Sequence, residues 1–184
     1  MTCPKFAAGM LFCATVFAAA GADEPTTSEK KPAAGVEKTK SAFERFQRLV
    51  GDWEYQNPKE EALKGKTVVR YKLTGSGSAV VETLFPGEEK EMISVYTRDG
   101  SQLVLTHYCC AGNQPTMRAK IGESTDEIAF EFAGGNNLDP AKDFFMHAYT
   151  VRFVDADHIR GSWEYYQGGK SGGKHLFDLV RKKK

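Results

Sequence analysis

The feature that most constrains this chain is an alternation of apolar and polar side chains between about residue 53 and residue 181. A period of two residues is typical of β-strands that bury one face. Turn signals such as Pro86-Gly87, Asp99-Gly100 and Gly168-Gly169 interrupt it at short intervals. No segment between them is long enough for a helical crossover, so the strands are predicted to be antiparallel. The ten predicted strands are 53–56, 67–73, 78–85, 91–98, 101–108, 115–121, 127–132, 144–154, 158–166 and 174–181.

A meander of about ten strands must hide its edges, and closing the sheet removes them altogether. The sequence therefore predicts an all-β fold, an antiparallel up-and-down β-barrel. A short helix over 41–50 is predicted to precede it, because Phe43, Phe46 and Leu49 recur at helical spacing. Ser41 is the predicted N-cap of this helix, and Gly51 ends it.

Asp99-Gly100 predicts a two-residue hairpin turn, which would place His107 opposite Met92. One face of that hairpin would then carry Met92, Ser94, Tyr96, Leu103, Leu105 and His107. The preceding hairpin places Glu82 on the same face as Tyr71, among apolar neighbours. A carboxylate there needs a partner or a raised pKa. Arg118 is the candidate partner.

The first 40 residues are predicted to lie outside the barrel domain, which spans 41–184. Residues 1–22 resemble a secretory signal peptide, with Lys5, an apolar run over 6–20 and a small-x-small site at Ala20-Gly21-Ala22. The run is shorter than the roughly 20 residues of a membrane span, so no transmembrane segment is expected after cleavage. Residues 23–40 have the composition of a disordered linker. The mature protein is therefore predicted to be periplasmic or secreted.

Charge and cysteine content narrow the function further. The 25 Lys and Arg residues nearly balance the 24 Asp and Glu residues, and no basic stripe is visible, so nucleic acid is not an expected partner. Signal-peptide cleavage would leave only Cys109 and Cys110. Adjacent cysteines cannot join distant strands of one chain.

Two resemblances follow from these motifs. Gly51-x-Trp53 on the first strand and an Arg on the last strand resemble lipocalin-type (calycin) barrels, which implies that Arg181, or Arg160 in its place, packs across Trp53. The stretch from Glu82 to Met117 is similar to a group of bacterial secreted lipocalin-like proteins. These proteins carry a Leu-Thr-His-Tyr-Cys…Gly-Asn-Gln-Pro motif, which is present here at residues 105–109 and 112–115. That group implies a shared fold and site but brings no established activity.

Three chemical alternatives stay open for the cluster that begins at His107. His107, Cys109 and Cys110 are candidate metal ligands, with His147 as a further candidate, although their spacing matches no established zinc pattern. Cys109 near His107 is a candidate nucleophile pair, without an evident third residue to orient it. The stretch His175 to Arg181 resembles a haem-binding run but is one residue short. No cofactor is predicted, and a binding protein is favoured over an enzyme.

The favoured hypothesis is a barrel that binds a small apolar or amphipathic ligand, as a monomer or weak dimer. Polar anchors would come from His107, Asn113 and Gln114, although the two amides equally suit holding their own turn. Predicted walls include Tyr71, Phe130, Phe132, Phe144 and Met146. The full predicted ligand site is Glu82, Met92, Tyr96, His107, Tyr108, Cys109, Asn113, Gln114, Met117 and Arg118.

Overall fold

The computed structural model describes residues 34–183, which form one helix and ten antiparallel strands. None of the helices in this range is long and apolar enough to cross a membrane. The helix is α1 (Ala34–Gln47), and two short 3₁₀ turns lie at Glu61–Leu63 and Gly75–Gly77. The strands are β1 (Gly51–Tyr55), β2 (Val69–Thr74), β3 (Ala79–Leu84), β4 (Met92–Asp99), β5 (Gln102–Tyr108), β6 (Gln114–Lys120), β7 (Glu127–Asn136), β8 (Phe145–Phe153), β9 (His158–Gln167) and β10 (Lys170–Arg181).

The strands close into a barrel in which every strand pairs with its neighbours along the chain. The first and last strands complete the circle, with Trp53 opposite Arg181. The predicted all-β, up-and-down barrel is therefore confirmed. Two strands are each four residues longer than predicted, because β7 continues past a bulge opposite β6 and β10 begins at Lys170 with a bulge of its own.

The helix begins seven residues earlier than the predicted Ser41, so residues 34–40 are helical rather than part of a linker. Thr39 shows why the extension is favourable. Its hydroxyl is buried and donates to the carbonyl of Ser101 at 2.7 Å, which fixes the added turns of helix to the β4–β5 turn. The predicted signal peptide, 1–22, and the first part of the predicted linker lie outside the described residues.

Helix α1 fills one end of the barrel. Phe46 is fully buried and stacks on Tyr96 with the ring centres 4.3 Å apart. Phe130 and Phe153 contact the Phe46 ring edge-on, with ring centres 5.9 and 5.5 Å from that of Phe46. Gln47 donates to the carbonyl of Gly77, which ties the helix to a second turn at this end. The helix therefore covers this end of the barrel, and Phe46 packs into the interior beneath it.

The β4–β5 hairpin has the predicted faces but a different register. His107 lies opposite Ser94 rather than Met92, because the turn consists of Gly100 and Ser101 and Asp99 stays in the strand. Gly100 takes the positive φ of +59° that this turn requires, whereas Asp99 and Ser101 do not. The partner changes by two residues, and the strand period is two, so each side chain keeps its predicted face.

At the seam of the barrel Arg181 packs on Trp53, with its guanidinium carbon 4.5 Å from the ring centre. The Trp53 indole N–H donates to the carbonyl of Leu49 at 2.8 Å. The contact expected between these two residues is thereby confirmed.

Candidate ligand cavity

A cavity of about 640 Å³ opens at the end of the barrel away from α1. In an up-and-down barrel alternate loops share an end, and α1 contacts the turns at Gly77 and Ser101. The cavity is bordered instead by the loops that follow β3, β5 and β7. Its apolar walls are built mainly by Leu84, Phe85, Met92, Phe144, Trp163 and Phe177.

A row of polar side chains crosses the interior beside this cavity. Glu82 pairs with Ser94 across β3 and β4, and Ser94 pairs with His107 across β4 and β5. Directly opposed residues in an antiparallel sheet point to the same face. All three side chains are therefore turned inward, and all three are buried.

His107 is the member of this row that lines the cavity. Its side chain is 1% exposed, its Nδ1 lies 3.0 Å from the Ser94 hydroxyl oxygen, and its ring is centred 4.9 Å from that of Trp163. Its Nε2 has no hydrogen-bond partner among the described residues. Burial lowers the pKa of His107 from 6.5 to about 4, so the imidazole is neutral at neutral pH.

Glu82 is held by two tyrosines. The Tyr71 hydroxyl donates to one carboxyl oxygen at 2.6 Å and the Tyr96 hydroxyl donates to the other at 2.8 Å. Burial raises the pKa of Glu82 above its ordinary value, and the hydrogen bonds oppose that rise in part. The predicted partner was wrong: Arg118 is on the outer face and pairs with Asp99 at 3.2 Å.

The two adjacent cysteines are free thiols at the cavity edge, Cys109 buried and Cys110 exposed. Burial raises the pKa of the Cys109 thiol. The thiolate is the nucleophilic form, so this environment opposes the nucleophile role considered for Cys109.

The candidate metal set is not assembled. Across residues 34–183 no three His, Cys, Asp or Glu side chains lie close enough to hold a metal ion. His147 lies at a bulge in β8 and stacks on Tyr166, with the ring centres 3.8 Å apart. The proposed third ligand is thus occupied by aromatic packing.

Of the ten predicted site residues, Met92, His107 and Cys109 line the cavity. Tyr108 is 50% exposed and, like Arg118, lies on the outer face. Met117 and Tyr96 are fully buried in the packed part of the core, Met117 opposite Leu105. Phe130 and Tyr71, predicted as walls, are likewise core residues that fill space.

The two amides proposed as anchors hold backbone instead. Asn113 donates to the carbonyl of Phe144 at 2.7 Å, and Gln114 donates to the carbonyl of Gly112 at 3.1 Å. These contacts support the alternative in which the two amides hold protein backbone rather than a ligand. Asn113 still matters to the cavity, because Phe144 is one of its walls.

Several residues that line the cavity were not predicted from the sequence. Trp163 carried a signal, since Gly161-Ser162-Trp163 repeats the Gly-x-Trp pattern of β1. Phe177 shares an alternating face with His175, which borders the cavity mouth. Lys59, Lys90 and Lys174 also border it, but Lys59 and Lys90 lie between strands, where no periodic pattern marks them.

No family model matches this chain, and no curated protein is similar to it. The proposed function is therefore based on the contacts inside the cavity.

Proposed function

We propose that this protein is an exported, lipocalin-like barrel that binds a small, mostly apolar or amphipathic ligand in the cavity at its open end. One observation carries the proposal: His107 is buried, lines an apolar cavity and leaves Nε2 without a partner. A buried polar group without a hydrogen bond costs about 1–3 kcal/mol. A ligand with one matching polar group would offset that cost.

The size and walls of the cavity support the same function. Its volume of about 640 Å³ lies within the usual range for small-molecule sites. Aromatic side chains from three strands or loops, Phe85, Trp163 and Phe177, provide the apolar contact. Such a site suits a molecule of one or two rings, or a short aliphatic chain.

The mouth has a different character from the interior. Three lysines border it, Lys59, Lys90 and Lys174, and no Asp or Glu of the described chain lines the cavity. An amphipathic ligand would place its apolar part against the walls and its polar end among these ammonium groups.

A fluorescent apolar probe tests the proposal. We expect 8-anilino-1-naphthalenesulfonate to bind the folded protein at one site and to brighten. Met92→Trp fills the cavity from β4 and should weaken binding at least tenfold. Ile93→Trp is the matched control, since the next side chain on the same strand points outward and is exposed.

Two results would overturn the proposal. One is the absence of saturable binding by the folded protein. The other is equal binding by the Met92→Trp and Ile93→Trp variants, which would place the probe elsewhere on the surface. Native mass spectrometry of gently purified protein adds a second readout, because a retained small molecule should be displaced by the probe.

A haem-binding function is the second candidate, and the same nitrogen favours it. A neutral imidazole with an unpartnered Nε2 is able to ligate haem iron. Titration with haemin separates the two functions. A Soret band that shifts on His107→Phe, and that the anilinonaphthalene probe abolishes, would favour haem; no such band favours the apolar ligand.

A further inference from the structure

We propose that the cavity selects a ligand with a hydrogen-bond donor, a hydroxyl or ring N–H group, because His107, which lines the cavity, leaves its buried Nε2 as an acceptor without a partner. This inference rests on the ligand-binding function proposed above and specifies the chemistry of its ligand. It follows from the direction of the hydrogen bonds along the row from Glu82 to His107.

The bond between Ser94 and His107 permits two arrangements. Either the Ser94 hydroxyl donates to Nδ1, and Nε2 carries the ring hydrogen, or Nδ1 carries the hydrogen and donates to the Ser94 oxygen. Nε2 offers an N–H to a ligand in the first arrangement and a lone pair in the second. The ligand would need an acceptor in the first case and a donor in the second.

Glu82 decides between the two arrangements. Each of its carboxyl oxygens receives a hydrogen bond from a tyrosine, so the group acts as an acceptor. Ser94 lies directly opposite Glu82 in the sheet, and its hydroxyl helps to lower the pKa of that carboxyl group, so the carboxyl group is an acceptor toward which the hydroxyl can turn. A hydroxyl has one hydrogen to give. When Ser94 gives it to Glu82, its oxygen is left to accept from Nδ1–H of His107.

Satisfying the buried donors favours the same arrangement. With the hydrogen on Nδ1, the donors of Tyr71, Tyr96 and His107 have acceptors, and the Ser94 hydroxyl lies opposite the Glu82 carboxyl group. With the hydrogen on Nε2, a buried N–H is left without a partner. Unpaired buried N–H groups are the rarer defect in folded proteins. Ser94 is therefore a positioning residue, acting on the ligand through His107.

The walls next to His107 limit what carries the donor. The Trp163 ring lies tilted against the imidazole, and Met146 and Phe144 border the same cavity. These side chains suit a flat ring, so a phenol-type hydroxyl or an indole-type N–H at the buried end matches the site.

A matched pair of probes tests the inference by calorimetry. We expect 2-naphthol to bind about tenfold more tightly than 2-methoxynaphthalene, which has the same rings but no donor. His107→Phe should reduce the preference to less than twofold. Ser94→Ala should reduce it as well while keeping the imidazole. His147→Phe is the control, because it removes an imidazole that packs on Tyr166 and does not line the cavity, and it should leave the preference unchanged.

Nuclear magnetic resonance of the ¹⁵N-labelled protein reads the same property without any variant. Long-range ¹H–¹⁵N spectra distinguish a protonated ring nitrogen from a bare one. We expect His107 to show hydrogen on Nδ1 and none on Nε2, and the Nε2 resonance to shift when 2-naphthol binds.

The outcomes separate the two proposals. Equal binding of the two naphthalenes, a preference for the methoxy compound, or a hydrogen on Nε2 would overturn the donor-selective site and leave ligand binding intact. Failure of both naphthalenes and of the anilinonaphthalene probe to bind would overturn the cavity function, and the inference with it.

Discussion

Arg181 shows how much a single side chain contributes at the seam of this barrel. Its guanidinium group donates to the carbonyls of residues 48–50, to the carbonyl of Ala156 and to the carboxylate of Asp157. Its face covers the Trp53 ring. One residue of the last strand thus links the end of α1, the first strand and the β8–β9 turn.

Arg181→Lys is expected to destabilise the protein by about 1–3 kcal/mol, because an ammonium cannot reproduce the planar fork of donors. Urea unfolding at neutral pH measures the change. Arg160→Lys is the control: Arg160 is largely exposed and pairs with Asp178 at 3.4 Å, so its change should cost less than about 0.5 kcal/mol. Equal losses in the two variants would contradict the role assigned to Arg181.

His107 makes stability depend on pH in a defined direction. The unfolded chain binds a proton at its imidazole below about pH 6.5, whereas the folded protein resists protonation until about pH 4. Lowering the pH through that window therefore favours unfolding, and the loss is complete below it. The full difference amounts to about 3 kcal/mol.

We expect the wild type to lose more stability than His107→Phe between pH 7 and pH 4, by about 2–3 kcal/mol. Urea unfolding at each pH gives the difference, and groups that titrate in both proteins cancel. Ile93→Phe is the matched control: it places the same side chain on the outer face and removes no titratable group, so it should follow the wild type. A His107→Phe curve parallel to that of the wild type would show that the imidazole is not shielded from protons.

At the scale of elements, the loop between β5 and β6 is a support for the cavity. The Cys109 N–H donates to the carbonyl of Asn113, and the Asn113 side chain reaches across to the loop before β8. This loop therefore connects the strand that carries His107 to the loop that carries Phe144.

Asn113→Ala should destabilise the protein by about 1–2 kcal/mol, because it leaves the Phe144 carbonyl without its donor. It should also weaken binding of the anilinonaphthalene probe a few-fold, by loosening one wall. Gln114→Ala removes only a short-range bond to Gly112 and should change neither quantity measurably. Thermal unfolding and probe titration on the same samples check both; a stronger effect of Gln114→Ala would restore it as an anchor.

The strands and their buried faces could largely be predicted from the sequence, but their exact pairing could not. Ten strands and the inward faces of the β2–β3 and β4–β5 hairpins followed from period-two alternation, because burial dictates which side chains face the core. Exact pairing did not follow, since it depends on whether Asp99 or Gly100 begins the turn. Tyr108 and Arg118 were placed in the site for their chemistry, although each lies next to an inward-facing residue and must therefore point outward.

One end of the barrel is packed around α1 and the other end opens into a cavity, and the sequence did not predict this difference. Both ends carry aromatic residues on inward faces, so composition does not show which will line a cavity. The decision comes from α1, whose Phe46 occupies the interior beside Tyr96 and Phe130. Which end is filled therefore depends on where α1 docks against strands that are far from it in the sequence.

The charge of the open end leads to the last prediction. Three lysines converge on the mouth from the loop after β1, the loop before β4 and strand β10, in a chain that is otherwise nearly neutral. Their local field should attract an anionic ligand and weaken with salt. We expect affinity for the anilinonaphthalene sulfonate to fall several-fold between 20 mM and about 500 mM salt.

Replacing Lys59, Lys90 and Lys174 together by Gln should remove most of that salt dependence and weaken binding at low salt several-fold. A control with Lys40, Lys72 and Lys120 changed to Gln has the same net charge but keeps the mouth intact, so it should behave as the wild type. If both triple variants lose the same affinity, net charge rather than the mouth attracts the probe. If neither does, the ligand's polar end does not lie among the three lysines, and the cavity selects by its apolar walls and His107 alone.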